Sequence, residues 1–206
     1  MRIAVSDLLF PGFRKFGIRP LNTEYGIEFF YEFGHDYYWD EETAAWGNRE
    51  FSIHGPCVAV DLADKDNLNY LPAFEATFKY AQKIKAQFVV VHTNECLPAD
   101  IKAGQELVIS RLAELLDMAK AYGVTLVIEN VGLRTKGNVL FNLEEYYALF
   151  ERFPQVMSLI DTGHAHVNGW DIPAVVEKLG SKLFAFHIHD NDGNGDDHLP
   201  VWQGTI

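Results

Sequence analysis

Short runs rich in Val, Ile and Phe recur along the 206-residue chain, and helix-patterned stretches separate them. The runs lie near residues 3–8, 26–32, 50–55, 87–93, 124–130, 156–161 and 183–189. Such largely apolar runs suit strands buried on both faces, which is the condition of a parallel sheet. Between them, 105–122 carries a stripe of Val108, Leu112, Leu115, Leu116 and Ala119, and Gly123 suits its C-terminal stop. The stretch 70–85 repeats the pattern through Leu71, Phe74, Phe78 and Ala81. Asn142 with Glu145 predicts a capping box at the start of 143–152. Asp171 and Pro173 open a further helix that Gly180 ends. Strand–helix alternation of this kind means an α/β fold. A hydrophobic fraction of 48% over this length predicts one domain, residues 1–206. No glycine-rich phosphate loop follows the first run, so a dinucleotide-binding sheet has no positive support. The choice between an open sheet and a barrel falls to the chemically active residues.

Side chains alternate across a strand, so each run can be read for direction. His54 closes Phe51-Ser52-Ile53-His54 on the face of Ser52, and His92 closes 88–92 on the face of Phe88 and Val90. Glu129 follows Val127, Asp161 follows Leu159, and His187 and His189 share the face of Ala185. Five consecutive strands therefore end in a side chain able to bind a metal. Barrel enzymes build their sites at the C-terminal ends of the strands, which converge on one face. The loops add His164 and His166 after strand six, and Asp196 and His198 after strand seven. Imidazole and carboxylate together suit Mn²⁺ or Zn²⁺, with Co²⁺ and Fe²⁺ also compatible. A single buried strand histidine is more often a hydrogen-bonded core residue, but five in register would be costly to bury without a shared partner.

Other residues carry weaker signals. Glu28 and Glu32 alternate with Phe30, and Glu28 reads equally as a buried salt-bridge partner or a substrate contact. Cys57 and Cys96 read as small loop hydrophobes rather than reactive thiols. Tyr37-Tyr38-Trp39 and Trp46 lie where a barrel loop would cover a site, and Asp40-Glu41-Glu42 reads as a solvated helix start. Arg134 and Lys136, between Gly132 and Gly137, are the one small basic group near a strand end, suited to a substrate phosphate or carboxylate.

In order, the motifs Ile-His-Gly-Pro, Val-His-Thr-Asn, Ile-Glu-Asn-Val, Asp-Thr-Gly-His, His-Ile-His-Asp and Asp-Asp-His-Leu-Pro resemble the xylose isomerase-like TIM-barrel superfamily. That group holds sugar phosphate isomerases and epimerases and the endonuclease IV-type apurinic endonucleases. The resemblance implies a (β/α)8 TIM barrel. It implies that Glu129, Asp161 and His187 are metal ligands common to both branches. It matches His54, His92, His164, Asp196 and His198 to the further ligands that hold a zinc cluster in the endonuclease branch. The family also supplies a glutamate from strand eight, whereas this sequence stops at Gly204-Thr205-Ile206. The expectation is therefore a barrel truncated before strand eight, its C-terminal strand and helices missing, in a product that continues for about 40–70 residues.

The leading functional expectation is a sugar or sugar-phosphate isomerase or epimerase. It would abstract a proton next to a carbonyl, with a metal-stabilised enediolate. Glu129 and His189 are the candidate catalytic residues; His54, His92, His164 and Arg134 are candidate substrate contacts. The alternative is a zinc phosphodiesterase acting on abasic DNA, and a third is a barrel without turnover. The net charge of -12 disfavours nucleic acid. A sugar or sugar phosphate is thus the expected partner, and homo-oligomerisation is compatible with the sequence. The N-terminus lacks the apolar run of a signal peptide and no stretch is long enough for a bilayer, so a cytoplasmic protein is expected.

Overall fold

The structure is a computed structural model that describes residues 2–9, 17–32 and 34–206. Each of the seven apolar runs contains a strand: β1 Ala4–Ser6, β2 Gly26–Phe30, β3 Phe51–His54, β4 Val89–Val91, β5 Leu126–Glu129, β6 Met157–Asp161 and β7 Leu183–His187. They form one sheet in chain order, and every neighbouring pair is parallel. A parallel sheet whose order follows the sequence is the staves of a (β/α) barrel, curled so that its C-terminal strand ends converge. Among the described residues β1 and β7 each have one paired neighbour.

Helices on the outer face connect the staves: α1 Asp36–Trp46, α2 Tyr70–Ile84, α3 Ile101–Tyr122, α4 Leu143–Arg152, α5 Thr162–Val167 and α6 Ile172–Leu179. Their ends are fixed by side chains. Asp100 accepts from the Ala103 N–H, and Gly123 (φ 67°) closes α3 in the left-handed region that glycine tolerates. The Asn142–Glu145 capping box forms, and Asp171 caps α6. The main core lies between the helices and the outward residues of the strands, among them Ile53, Val89, Val91, Ile128 and Ile160. The inward residues Val90, Val127 and Leu159 form a separate plug, with Phe88, Met157 and Ala185 packed on it. The inward and outward sets alternate along β4, β5 and β6 with the period of two that a strand dictates. The next inward positions above the plug are His92, Glu129, Asp161 and His187.

The segment 36–46 departs from expectation. It is a helix, and Trp39 and Trp46 are core residues: Trp39 stacks on Phe29 with centroids 4.4 Å apart, and Trp46 lies against Phe29 and Phe51. Indoles of this size gain more from burial beneath β2 than from covering a polar site. Glu42 is mid-helix and buried, not a solvated helix start, because Arg19 reaches it at 3.1 Å. No described helix is long and apolar enough to cross a membrane.

Candidate metal centre

The strand ends and the segments that follow them place nine of the candidate groups in one continuous network. Glu129 lies at its middle. Its Oε2 is 3.1 Å from His92 Nε2, 3.6 Å from His54 Nε2 and 3.3 Å from His187 Nδ1, while its Oε1 is 3.4 Å from His164 Nδ1. Asp161 faces the same space, 3.9 Å from His187 Nδ1 and 3.8 Å from His164 Nδ1. His189 Nε2 approaches both oxygens of Asp161, at 3.0 and 2.9 Å. On the outer side, Asp196 meets His164 Nε2 at 3.4 Å and His198 Nδ1 at 3.3 Å. The rings of His189 and His198 stack at 4.0 Å.

The imidazoles of His54, His92 and His187 are anchored by their far sides. His54 Nδ1 donates to the Gly55 carbonyl at 2.9 Å; His164 differs, since its Nδ1 both contacts the Asn130 carbonyl at 3.0 Å and faces Glu129, and its Nε2 faces Asp196. His92 Nδ1 is held by Glu95 at 2.7 Å, and His187 Nε2 by Glu28 at 2.7 Å. Glu28 is itself fixed by the Ser52 hydroxyl at 2.9 Å. A ring whose one nitrogen donates outward presents the other towards the centre, the arrangement that outer partners impose on metal-binding histidines. Asp161 is oriented likewise: its Oδ1 caps α5 by accepting the His164 N–H at 2.7 Å. Asn130 clips the ends of β5 and β6 together through the Asp161 backbone, and the Tyr146 hydroxyl bridges the Ile128 and Leu159 carbonyls beneath them.

The nitrogens of His54 and His92 that face Glu129 are 3.1 Å apart. Nitrogens so close share a proton, or a cation in its place. Two donors each about 2.1 Å from one cation sit roughly 3–3.5 Å apart, which is the spacing found here. Asp196 Oδ1 and His189 Nδ1 are buried with no hydrogen-bond partner, although His198 is near the former. Closeness without hydrogen-bond geometry fits ligands that share an ion. Among the described residues, three groups satisfy a ligand spacing: Glu129–Asp161–His187, His54–Cys57–His92 and His189–Asp196–His198, each with donor atoms within 4.8 Å of one another. The donor set fits a divalent cation of the Mn²⁺ to Zn²⁺ series.

Protons supply the positive charge when no cation does. Burial opposes a charged Glu129, but His187 and His92 outweigh it and hold the carboxyl well below its usual range. Burial equally opposes protonation of His92, yet the Glu129 and Glu95 carboxylates raise it to about 10. His164 rises to about 9, as Asp161 and Asp196 overcome its burial, and His187 rises well above its ordinary value between Glu28 and Glu129.

Two sequence candidates lie apart from the network. His166 pairs with the Thr205 hydroxyl at 2.9 Å. Arg134 is exposed; its N–H donates to Asn168, and its side chain lines a surface cavity of about 310 Å³ with Gly137, Val139, Asn142, Asn168 and Trp170. Glu95 is not among the residues expected from the sequence, though a carboxylate three residues beyond a strand-end histidine is a signal for its anchor. Cys57 reads from the sequence as a loop hydrophobe, whereas the fold brings the thiol beside His54 and His92.

The profile of the family described as xylose isomerase-like TIM barrel matches residues 26–206. The chain is 26% identical over 149 residues to the inosose isomerase of Bacillus licheniformis, covering 68% of this chain and 52% of that enzyme. It is 26% identical over 131 residues to the fructoselysine 3-epimerase of Escherichia coli O157:H7, covering 61% and 46%. The chain thus spans about half the length of those two relatives. A solved structure titled D-tagatose 3-epimerase-like protein superposes with a TM-score of 0.81 at 21% identity, over 100% of this chain and 82% of that one.

Proposed function

From the premise that the chain belongs to the xylose isomerase-like TIM-barrel family, we propose that it is a divalent-cation-dependent isomerase or epimerase of a sugar or sugar derivative. One observation carries the reading: Glu129 sits within 3.6 Å of four imidazoles, at the strand ends where such barrels hold substrate. Glu129, Asp161 and His187 would hold the cation, with His54, His92, His164, Asp196 and His198 as further donors. When bound, the cation would polarise a sugar carbonyl and stabilise negative charge on its oxygen.

The chain's own groups do the rest. Glu129 is the central carboxylate, and its Oε2 can take a proton from the carbon beside the carbonyl. His92 and His187, at 3.1 and 3.3 Å from that oxygen, hold the carboxylate in place beside the cation. His189, hydrogen-bonded to Asp161, is the neighbouring acid–base group. Glu28 and Glu95 keep the rings of His187 and His92 aimed inward. The exposed Arg134 suits a phosphate or carboxylate at the far end of a longer substrate. The names of the similar enzymes, an inosose isomerase and a fructoselysine 3-epimerase, support a polyol-ketone or ketose substrate.

A second reading has a specific observation in its favour. The additional donor groups flanking Glu129 and Asp161 could hold more than one ion, as a phosphodiesterase acting on abasic DNA requires. The charge of -12 weighs against a polyanionic partner. One panel separates the two: the Mn²⁺- or Zn²⁺-loaded protein is offered ketoses, inososes and an abasic oligonucleotide. Sugar interconversion supports the isomerase, and strand cleavage without it overturns that assignment.

A further inference from the structure

We propose that Cys57 completes a thiophilic cation position with His54 and His92, beside the Glu129–Asp161–His187 position and chemically different from it. One donor atom from each of His54, Cys57 and His92 lies within 4.8 Å of the others. Both His54 and Cys57 are buried, at 3% and 8% exposure. The histidines point to a ligand independently of the cysteine. Their Nδ1 atoms are committed to Gly55 and Glu95, and their Nε2 atoms face one another at 3.1 Å. Glu129 Oε2 borders the two nitrogens, at 3.6 Å from His54 and 3.1 Å from His92.

The loop after β3 is built to bring the thiol there. A Cβ on Gly55 would lie 2.5 Å from the Val90 carbonyl oxygen and 2.8 Å from the Phe74 ring, so only glycine lets the chain pass this close to β4. Glu32 then accepts the N–H groups of Cys57 at 2.9 Å and Val58 at 3.2 Å, which fixes the turn. A thiolate with two imidazoles selects Zn²⁺, Cd²⁺ or Co²⁺ over Mn²⁺ or Mg²⁺, whereas the carboxylate-rich neighbouring position accepts the harder ions. On binding, the thiol proton passes to solvent as the sulfur–metal bond forms. The inference rests on the cation-dependent reading only in that Glu129 borders both positions.

The test is the electronic spectrum of the full chain loaded with Co²⁺. The expected result is a thiolate-to-cobalt charge-transfer band in the wild type, retained in Cys96→Ser and Asp161→Asn and lost in Cys57→Ser and Cys57→Ala. Cys57→Ser should also weaken Cd²⁺ binding about tenfold or more while Mn²⁺ binding stays within about twofold. Bound Co²⁺ without the band in the wild type, which needs no variant to fold, overturns the site. So does a band that survives in Cys57→Ser. Turnover of sugars is read separately: a band without turnover supports this position and counts only against the isomerase reading.

Discussion

Replacing Glu129 with glutamine removes the central charge of the cluster and almost no volume. In the wild type Glu129 stands 3.1–3.6 Å from His92, His187, His164 and His54, so all four lose the one carboxylate they share. Loss of a group that merely orients a ligand costs about 10–100-fold in metal affinity. Loss of the shared carboxylate should therefore exceed about 100-fold, which corresponds to roughly 2.7 kcal/mol. The fold should survive. Glu129 projects away from the helix-facing core, and the new amide can donate to the facing His54 and His92 nitrogens. Isothermal titration with Mn²⁺ and Zn²⁺, elemental analysis of the purified variant, and circular dichroism melts in EDTA measure all three effects. Wild-type metal content in a folded Glu129→Gln protein would refute the reasoning, because the cluster would then have a different centre.

Four further outcomes follow from the geometry. Cation binding should release protons at pH 7, since His92 and His164 titrate at about 10 and 9 without it; titration in buffers of different ionisation enthalpy reads the number, and none released would contradict the proton-for-cation exchange. The sign for the cation-free protein is fixed by the same shifts. Protonation of these raised histidines stabilises the fold fully below about pH 6.5, and that contribution is lost as pH climbs through about 9 to 10, which melts in EDTA should show. Glu28→Gln, which weakens the 2.7 Å anchor of His187, should cost about 10–100-fold in Mn²⁺ affinity with little change in melting temperature; unchanged affinity would remove Glu28 from the site. Gly163→Ala places a Cβ 2.0 Å from His189 Cε1, so the ring must leave Asp161; turnover should fall by at least about tenfold with secondary structure intact, and wild-type kinetics would show that His189 is dispensable.

The strand set was legible because parallel strands buried on both faces advertise themselves as Val/Ile runs, and all seven strands fall within such runs. The inward direction of Glu129, Asp161 and His187 was legible for the same reason: each sits two residues beyond an apolar residue of the inner plug or its packing partners. What stayed hidden depended on distance in the chain. Nothing local says that Glu28 meets His187 across 159 positions, or that Glu42 is buried because Arg19 reaches it. Cys57 looked like loop filling because its approach to His54 depends on a glycine passing the Val90 carbonyl. Trp39 and Trp46 looked available for a ligand because composition cannot distinguish an aromatic lid from an aromatic core.

In the proposed reaction the Glu129 cluster uses a bound cation to move a proton next to a sugar carbonyl. Its most direct test is proton exchange in D₂O, followed by NMR, with the Mn²⁺-loaded protein and a panel of ketoses, aldoses and inososes. Deuterium should enter at the carbon beside the carbonyl of at least one substrate, its isomer should accumulate, and both should be lost with EDTA or in Glu129→Gln. No exchange across the panel with the cation demonstrably bound, or exchange indifferent to EDTA, would contradict it.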